Sequence, residues 1–398
     1  MNIAGILIAA LLGTLLGGSL YWIPGFRYLP FFGLVLNYLG HSPFFLTNPE
    51  LVMVFCASLL IGGSFVNTIP AFFFSAPQSA TLFLAAPGRK YLRQGRALEG
   101  CLMVGGGSLI GILLIVALAP LFLYAFQPSL RPLAIYYPWV IGLLIVYMPA
   151  SEIVLHLRRY LRYRRRKDFR NIFLAPGIFV LFALFGTAVF NGRDFFGVDF
   201  GGMISAIPAG LILFPSLFEE VVRPVVMGSE TREEETQKEK GAAARGGAAG
   251  LLGGLAAIIF PGISAGPGAF ISGHLIGRRK EKSFLISQGA VKTLVTGGSF
   301  LLFFLPLRSL LRGGAALNLS AYFAPPSSPN IFYLMLGVII VSGCLSYFML
   351  GAYARLAAVL RKKLGGRVLS CAILSAVTAI IGIRHFPSLA ALVAASCL

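Results

Sequence analysis

Two stretches of this 398-residue chain set helix-breaking residues inside long apolar segments. The first runs Gly62-Gly63-Ser64-Phe65-Val66-Asn67-Thr68-Ile69-Pro70 and on to Ser75-Ala76-Pro77-Gln78. The second is Phe260-Pro261-Gly262-Ile263-Ser264-Ala265-Gly266-Pro267-Gly268. Proline removes a backbone donor and clashes with the turn before it, and glycine weakens a helix, so each stretch frees backbone polar groups. In hydrocarbon those groups need partners from protein or from a water-lined cavity. Broken apolar segments in corresponding places of two halves are the sequence sign of a carrier's binding site. The pattern predicts a polytopic membrane carrier.

Composition supports the membrane class. Charged residues make up 12% of the chain and hydrophobic ones 57%, against about 25% charged in soluble domains. The first apolar run, Ile3 to Ile23, has no basic leader and no clear small-x-small cleavage site, so it reads as part of the fold. The net charge of +19 sits in short loops: Arg89-Lys90-Arg93-Arg96, eight basic residues from Arg158 to Arg170, Arg278-Arg279-Lys280, and Arg361-Lys362-Lys363-Arg367. Basic loops between apolar spans mark the cytoplasmic face, so the charge signals topology and contact with the lipid bilayer and excludes a nucleic-acid partner. The five cysteines (Cys56, Cys101, Cys344, Cys371, Cys397) lie scattered without a CxxC spacing and read as small apolar fillers.

The apolar runs at 29–40, 249–260 and 267–277 are too short for the roughly 20 residues of a helical crossing. Short runs joined by Pro and Gly suit re-entrant hairpins. The segment 228–248 carries five of the fourteen acidic residues and reads as a charged cytoplasmic linker. It divides an N-terminal transmembrane half, 1–227, from a C-terminal half, 249–398. Leu15-Leu16-Gly17-Gly18 before Pro24-Gly25 is matched by Leu251-Leu252-Gly253-Gly254 before Pro261-Gly262. The loop after the first Pro-Gly, 41–50, has no Lys or Arg, whereas the loop after the second, 278–282, is strongly basic. Equivalent loops on opposite faces predict inverted repeats. The fold class expected is an all-α polytopic membrane protein of two related halves with re-entrant, Pro/Gly-broken hairpins.

The candidate binding residues follow from the breaks. Asn67 and Thr68 precede Pro70, and Ser75, Gln78, Ser79 and Thr81 follow it. A half-helix start there exposes unpaired N–H groups and a positive dipole end, so hydroxyl and amide groups there suit a carboxylate; the bland reading is that they cap the break. Gly262, Ser264, Gly266 and Gly268 let backbone approach a ligand and form an anion nest, or else pack helices closely. Lys292 sits ten residues into an apolar span, facing a polar cavity or snorkelling to the interface, with Gln288 and Thr293 beside it. Glu152 and His156, like Glu219 and Arg223, are spaced for interface ion pairs, and His274 reads as a packed or headgroup-facing ring. No HExxH or Walker A signature occurs, so no enzyme and no catalytic residue or metal site is expected.

The run SFVNTIPAFFFSAPQSATLFLAAPGRKYLRQGRALEG (64–100) resembles the first block of the large membrane subunit of tripartite tricarboxylate transporters, most of all its stand-alone archaeal branch. FPGISAGPGAF (260–270) with SQGAVKTL (287–294) resembles the second block, and IIGIRHFPSLAALV (380–393) the C-terminal one. With LLGGSLYWIPG (15–25) the resemblance spans nearly the whole chain. It departs where the branch has an acid and this chain Asn67, where it has acids near Gln78 and Ala80, and where it has Asn and this chain Lys292. The resemblance implies secondary transport of a small organic anion, a di- or tricarboxylate, with no cofactor, and the missing acids leave coupling to Na+ or H+ open. It also implies a small membrane subunit and an extracytoplasmic binding protein as partners, which a stand-alone member can lack. Lipid processing or flipping, and a transport-inactive family member, are the alternatives.

Overall fold

The computed structural model describes residues 3–24, 28–41, 48–124, 134–164, 166–191, 207, 209–228, 241–260, 263–276, 280–304, 314–324 and 329–384. Every regular element among them is helical. Seven of their helices are long and apolar enough to cross a membrane. Compactness divides the chain into one unit of residues 1–130 with 212–379 and a smaller unit of 131–211 with 380–398. This division does not follow the expected halves, because helices from both halves share the core of the larger unit.

The larger unit opens with α1 (Ile3–Tyr21), α2 (Tyr28–Gly40) and α3 (Pro49–Val66). Tyr21 lies over Gly63, where an added Cβ would come within 2.8 Å of the ring, and Gly13 lies against Phe55 and Ser58. Sequence number therefore rises together along α1 and α3, and the two helices run parallel. A second triplet repeats the plan: α10 (Ala242–Ile259), α11 (Ala265–Ile276) and α12 (Glu281–Leu301). Here Gly246 meets Ser283 and Ile286, and Gly254 meets Leu294, so α10 and α12 are parallel as well. In each triplet a shorter middle helix of 13 or 12 residues joins the parallel pair. In lipid, helices gain nothing by burying Leu against Leu, so rows of small residues that allow close backbone approach decide which faces pair.

The two triplets meet along α3 and α12. Phe65, Asn67 and Thr68 lie at Lys292, while Ile61 lies at Gly297, so these helices cross antiparallel. Between the triplets come α4 (Ile69–Phe73), a 3-10 stretch (Ser79–Leu84), α5 (Ala85–Arg93) and α6 (Ala97–Tyr124). α6 packs parallel to α12, with Gly111 against Ala290 and Thr293 and Ile115 against Gly297. The smaller unit contributes α7 (Tyr137–Tyr163) and α8 (Arg166–Asn191), two helices with exposed apolar surfaces. They turn at Arg164, whose φ is +50°. His156 bridges them, 3.8 Å from Glu152 as its spacing predicts and 3.4 Å from Asp168. The larger unit resumes with α9 (Phe214–Val222) and ends with α13 (Gly314–Ser320) and α14 (Pro329–Arg384). α14 is two helices meeting at Gly365, whose φ of +73° no helix can hold.

One end of the larger unit gathers charge. Lys90 pairs with Glu281 at 2.6 Å, Arg89 pairs with Glu219, and the Gly228 N–H reaches the Leu92 carbonyl. The basic segments 88–96 and 280–282 therefore share a face, as their charge predicts. Arg96 holds Glu99 through two hydrogen bonds of 2.6 and 2.8 Å, which keep its guanidinium charged above its ordinary range. The linker is shorter than expected: residues 242–248 already belong to α10, because Gly246 and Gly247 are buried and form its first packing contacts. Residues 229–240 of the linker, most of the 41–50 loop, Pro261, Gly262, Arg278, Arg279 and the C-terminal block beyond Arg384 lie outside the described residues.

Candidate substrate-binding site

The first break forms as its proline dictates. Pro70 has no N–H for the Val66 carbonyl, so α3 stops at Val66. Asn67 still donates its N–H to Gly63 at 3.0 Å, and a five-residue helix restarts at Ile69. The α3 end leaves backbone carbonyls without helical donors. Thr68 Oγ1 donates to the Phe65 carbonyl at 3.0 Å. Lys292 Nζ reaches the same carbonyl at 3.5 Å, donates to Asn67 Oδ1 at 2.9 Å, and hydrogen-bonds Thr68 Oγ1. Lys292 is only 2% exposed, so it does not snorkel.

This geometry differs from the sequence expectation in one respect. The dominant helix end at Asn67 and Thr68 is the C-terminus of the 18-residue α3, which carries partial negative charge. The oxygens of Asn67 and Thr68 face the Lys292 amino group there, which as an ammonium has three donors and no acceptor. Phe65, Asn67 and Thr68 offer one oxygen for each of the three donors.

A second, accessible group lies where the two broken segments touch. Ser79 and Ser264 are exposed, and Gln78 and Gly266 are half-buried. A Cβ on Gly266 would sit 3.1 Å from the Ser79 carbonyl oxygen, and Phe83 packs on Phe270 with ring centroids 5.9 Å apart. Ala265 and Gly266 are the first two residues of α11, whose N–H groups have no acceptor within the helix. The Gly268 N–H is taken by the Ser264 carbonyl at 3.1 Å, and Gly268 itself packs against Gly253 and Val291. Thr81 caps the 3-10 stretch: the Gln78 N–H donates to its hydroxyl at 2.9 Å and its own N–H returns to the Gln78 carbonyl. α12 touches both breaks, because Gln288 Nε2 donates to Ala269 O at 3.0 Å and to Ser272 at 3.2 Å while Lys292 reaches α3.

The remaining expected residues separate from these groups. Pro70 is buried in α4. Thr293 turns to α6 at Gly111, and its buried hydroxyl has no hydrogen-bond partner among the described residues. Ser75 belongs to a different network. Its φ of +51° is rare for a side chain with a Cβ, and its hydroxyl donates to Glu220 Oε2 at 2.8 Å. Glu220 Oε1 pairs with Arg361 and accepts the Val225 N–H at 2.9 Å, while Arg361 also donates to the Val225 carbonyl. Both charged side chains are almost wholly buried. Sequence reasoning paired Glu219 with Arg223; the structure pairs Glu219 with Arg89 and buries Glu220. A Glu-Glu doublet on a one-sided helix was the only available signal, since adjacent residues sit about 100° apart.

No solved structure matches this chain at a significant level. An uncharacterized protein of Methanocaldococcus jannaschii is 24% identical over 283 residues, 67% of this chain and 58% of that protein. The model of the tripartite tricarboxylate transporter TctA family matches residues 7–395. With that match and its apolar helices, the chain is a multi-pass membrane protein of a transporter family. It belongs to the tripartite tricarboxylate transporter TctA family.

Proposed function

We propose that this chain carries a small organic anion of the di- or tricarboxylate class across the membrane by secondary transport. The anion would bind where Ser79 meets Ser264 and Gly266. The carrying observation is that contact: a helix N-terminus from one broken segment lies against the Ser79 main chain of the other, where Ser79 is exposed and Gln78 half-buried. A helix N-terminus offers free N–H donors and a positive dipole end to a carboxylate. Lys292, one helix turn from Gln288 on the helix that touches both breaks, adds positive charge behind the site without spending a donor on the ligand.

The parallel pairs α1–α3 and α10–α12, crossing antiparallel at α3 and α12, support an inverted-repeat reading. In that arrangement one triplet can rock against the other around a fixed site. A small membrane subunit and an extracytoplasmic binding protein would complete the system, as the family description's word "tripartite" suggests.

Purified protein in liposomes, loaded with unlabelled carboxylate and exposed to labelled citrate, succinate or malate, tests the reading. Saturable uptake that competes within the carboxylate class is expected. Liposomes that move no carboxylate yet scramble a fluorescent phospholipid would replace it with lipid flipping.

A further inference from the structure

We infer that Lys292 is a tethered monovalent cation: its ammonium fills a cation site built into the break of α3, so that the protein needs no bound Na+ there. This rests on the transport reading only for its consequence, that carboxylate movement does not require Na+ at this site.

The observation is the composition of the ammonium's surroundings. Its partners are one amide oxygen (Asn67 Oδ1), one hydroxyl oxygen (Thr68 Oγ1) and one main-chain carbonyl (Phe65). All three are neutral, and among the described residues no carboxylate pairs with Lys292. A buried lysine that serves structure ordinarily takes a carboxylate partner, because an unpaired buried charge is costly. Here the compensation comes from dipoles: the C-terminal end of α3 and three converging oxygens. Neutral carbonyl, amide and hydroxyl oxygens at an unwound helix end are the donor set of an alkali-metal site. The same break that frees the Phe65 carbonyl also places Asn67 and Thr68, so the site is a property of the broken helix, and α12 delivers the cation to it.

The size of the group fits as well. The Lys292 stem is enclosed within the bundle, so removing it leaves room where its head stood. An alanine there vacates the oxygens and the space of the stem for an ion with its water or for ethylammonium, whereas a methionine fills the stem's volume and sets an apolar methyl group against the oxygens, so that a bare ion there has no further ligand.

The test is thermal unfolding of the full chain in detergent, in choline, Na+, Li+ or K+ chloride at one ionic strength and without carboxylate. The parent's midpoint should be the same in all four salts. Lys292→Ala should unfold earlier in choline and regain part of the loss as Na+, or ethylammonium, is titrated in, by mass action on an occupied native site. Lys292→Met should stay low in every salt. A parent midpoint that climbs with Na+ overturns the inference and needs no variant to fold. A Lys292→Ala protein that ignores both Na+ and ethylammonium overturns it too, leaving the lysine as a plain strut. Because no substrate is present, these outcomes are independent of the liposome assay: failed carboxylate uptake with the expected salt pattern sinks the transport reading alone.

Discussion

Lys292 and Asn67 lie 225 positions apart in the chain and 2.9 Å apart in the fold, joined by a hydrogen bond from the ammonium to the amide oxygen. This bond ties the span broken by Pro70 to the helix that also contacts the second break. Thr68 and the Phe65 carbonyl complete the contact. Its consequence is mechanical as well as electrostatic: any movement of α12 relative to α3 must stretch it.

Thr68→Val removes one acceptor from the buried ammonium and keeps the side-chain shape. The expected loss is about 1–3 kcal/mol of stability, the cost of leaving a charged donor short of a partner. Denaturant or thermal unfolding in micelles measures it, and a variant as stable as the parent would show that Thr68 contributes no bond.

Asn67→Asp would supply the counter-charge that Lys292 lacks. The fold should persist, but the field that favours an anion at the Ser79–Gly266 contact should fall. Carboxylate affinity should drop by on the order of 1–2 kcal/mol, the energy of a unit charge about 10–15 Å away at an effective dielectric near 20. Titration of the purified variant with citrate or succinate reports this directly; undiminished affinity would remove Lys292 from the anion's environment.

Gly106 and Gly107 are neighbours on α6 with different surroundings. A Cβ at Gly106 meets nothing within 4 Å, whereas one at Gly107 would collide with the Ile286 backbone of α12. Gly106→Ala should leave stability unchanged or raise it by about 0.4–1 kcal/mol through the unfolded chain. Gly107→Ala should lower it by about 1–3 kcal/mol as the helices are forced apart. Equal melting points for the two variants would contradict the α6–α12 packing.

Arg361 and Glu220 test the buried network at the charged end. Removing one partner, as in Arg361→Met, leaves a carboxylate buried without compensation and should cost about 3–5 kcal/mol. The double variant Glu220→Gln with Arg361→Met should recover much of that loss. If the losses of the two single variants simply add, the pair is not coupled. Ser75 hangs from the same carboxylate, so its left-handed backbone should relax in the single variant, visible as faster proteolysis after Phe74.

Cysteines placed at Lys90 and Glu281, in a background free of the native five, should cross-link with a short bifunctional thiol reagent, because these side chains meet at 2.6 Å. Both should react with an impermeant reagent only after the membrane is opened. Labelling of either one in intact cells would invert the orientation read from the basic loops.

The membrane class, the helical content, the two broken segments and the family are legible along the chain alone. Each follows from local chemistry: apolar length, proline's missing donor, the placement of Lys and Arg, and motif residues adjacent in the chain. The sequence also selects Asn67, Thr68 and Lys292 as notable, since each is polar within an apolar run. That these three meet, with the oxygens of Asn67 and Thr68 facing the Lys292 amino group at the end of α3, emerges from the packing of distant helices. The same packing decides that Ser75 serves Glu220 and Arg361, that Thr293 turns to α6, and that α10 begins inside the expected linker. The reason is common to all of them. A helix's own sequence sets its length and its break, but which side chain fills which break depends on how small-residue rows let distant helices approach, and that pairing has no periodicity along the chain.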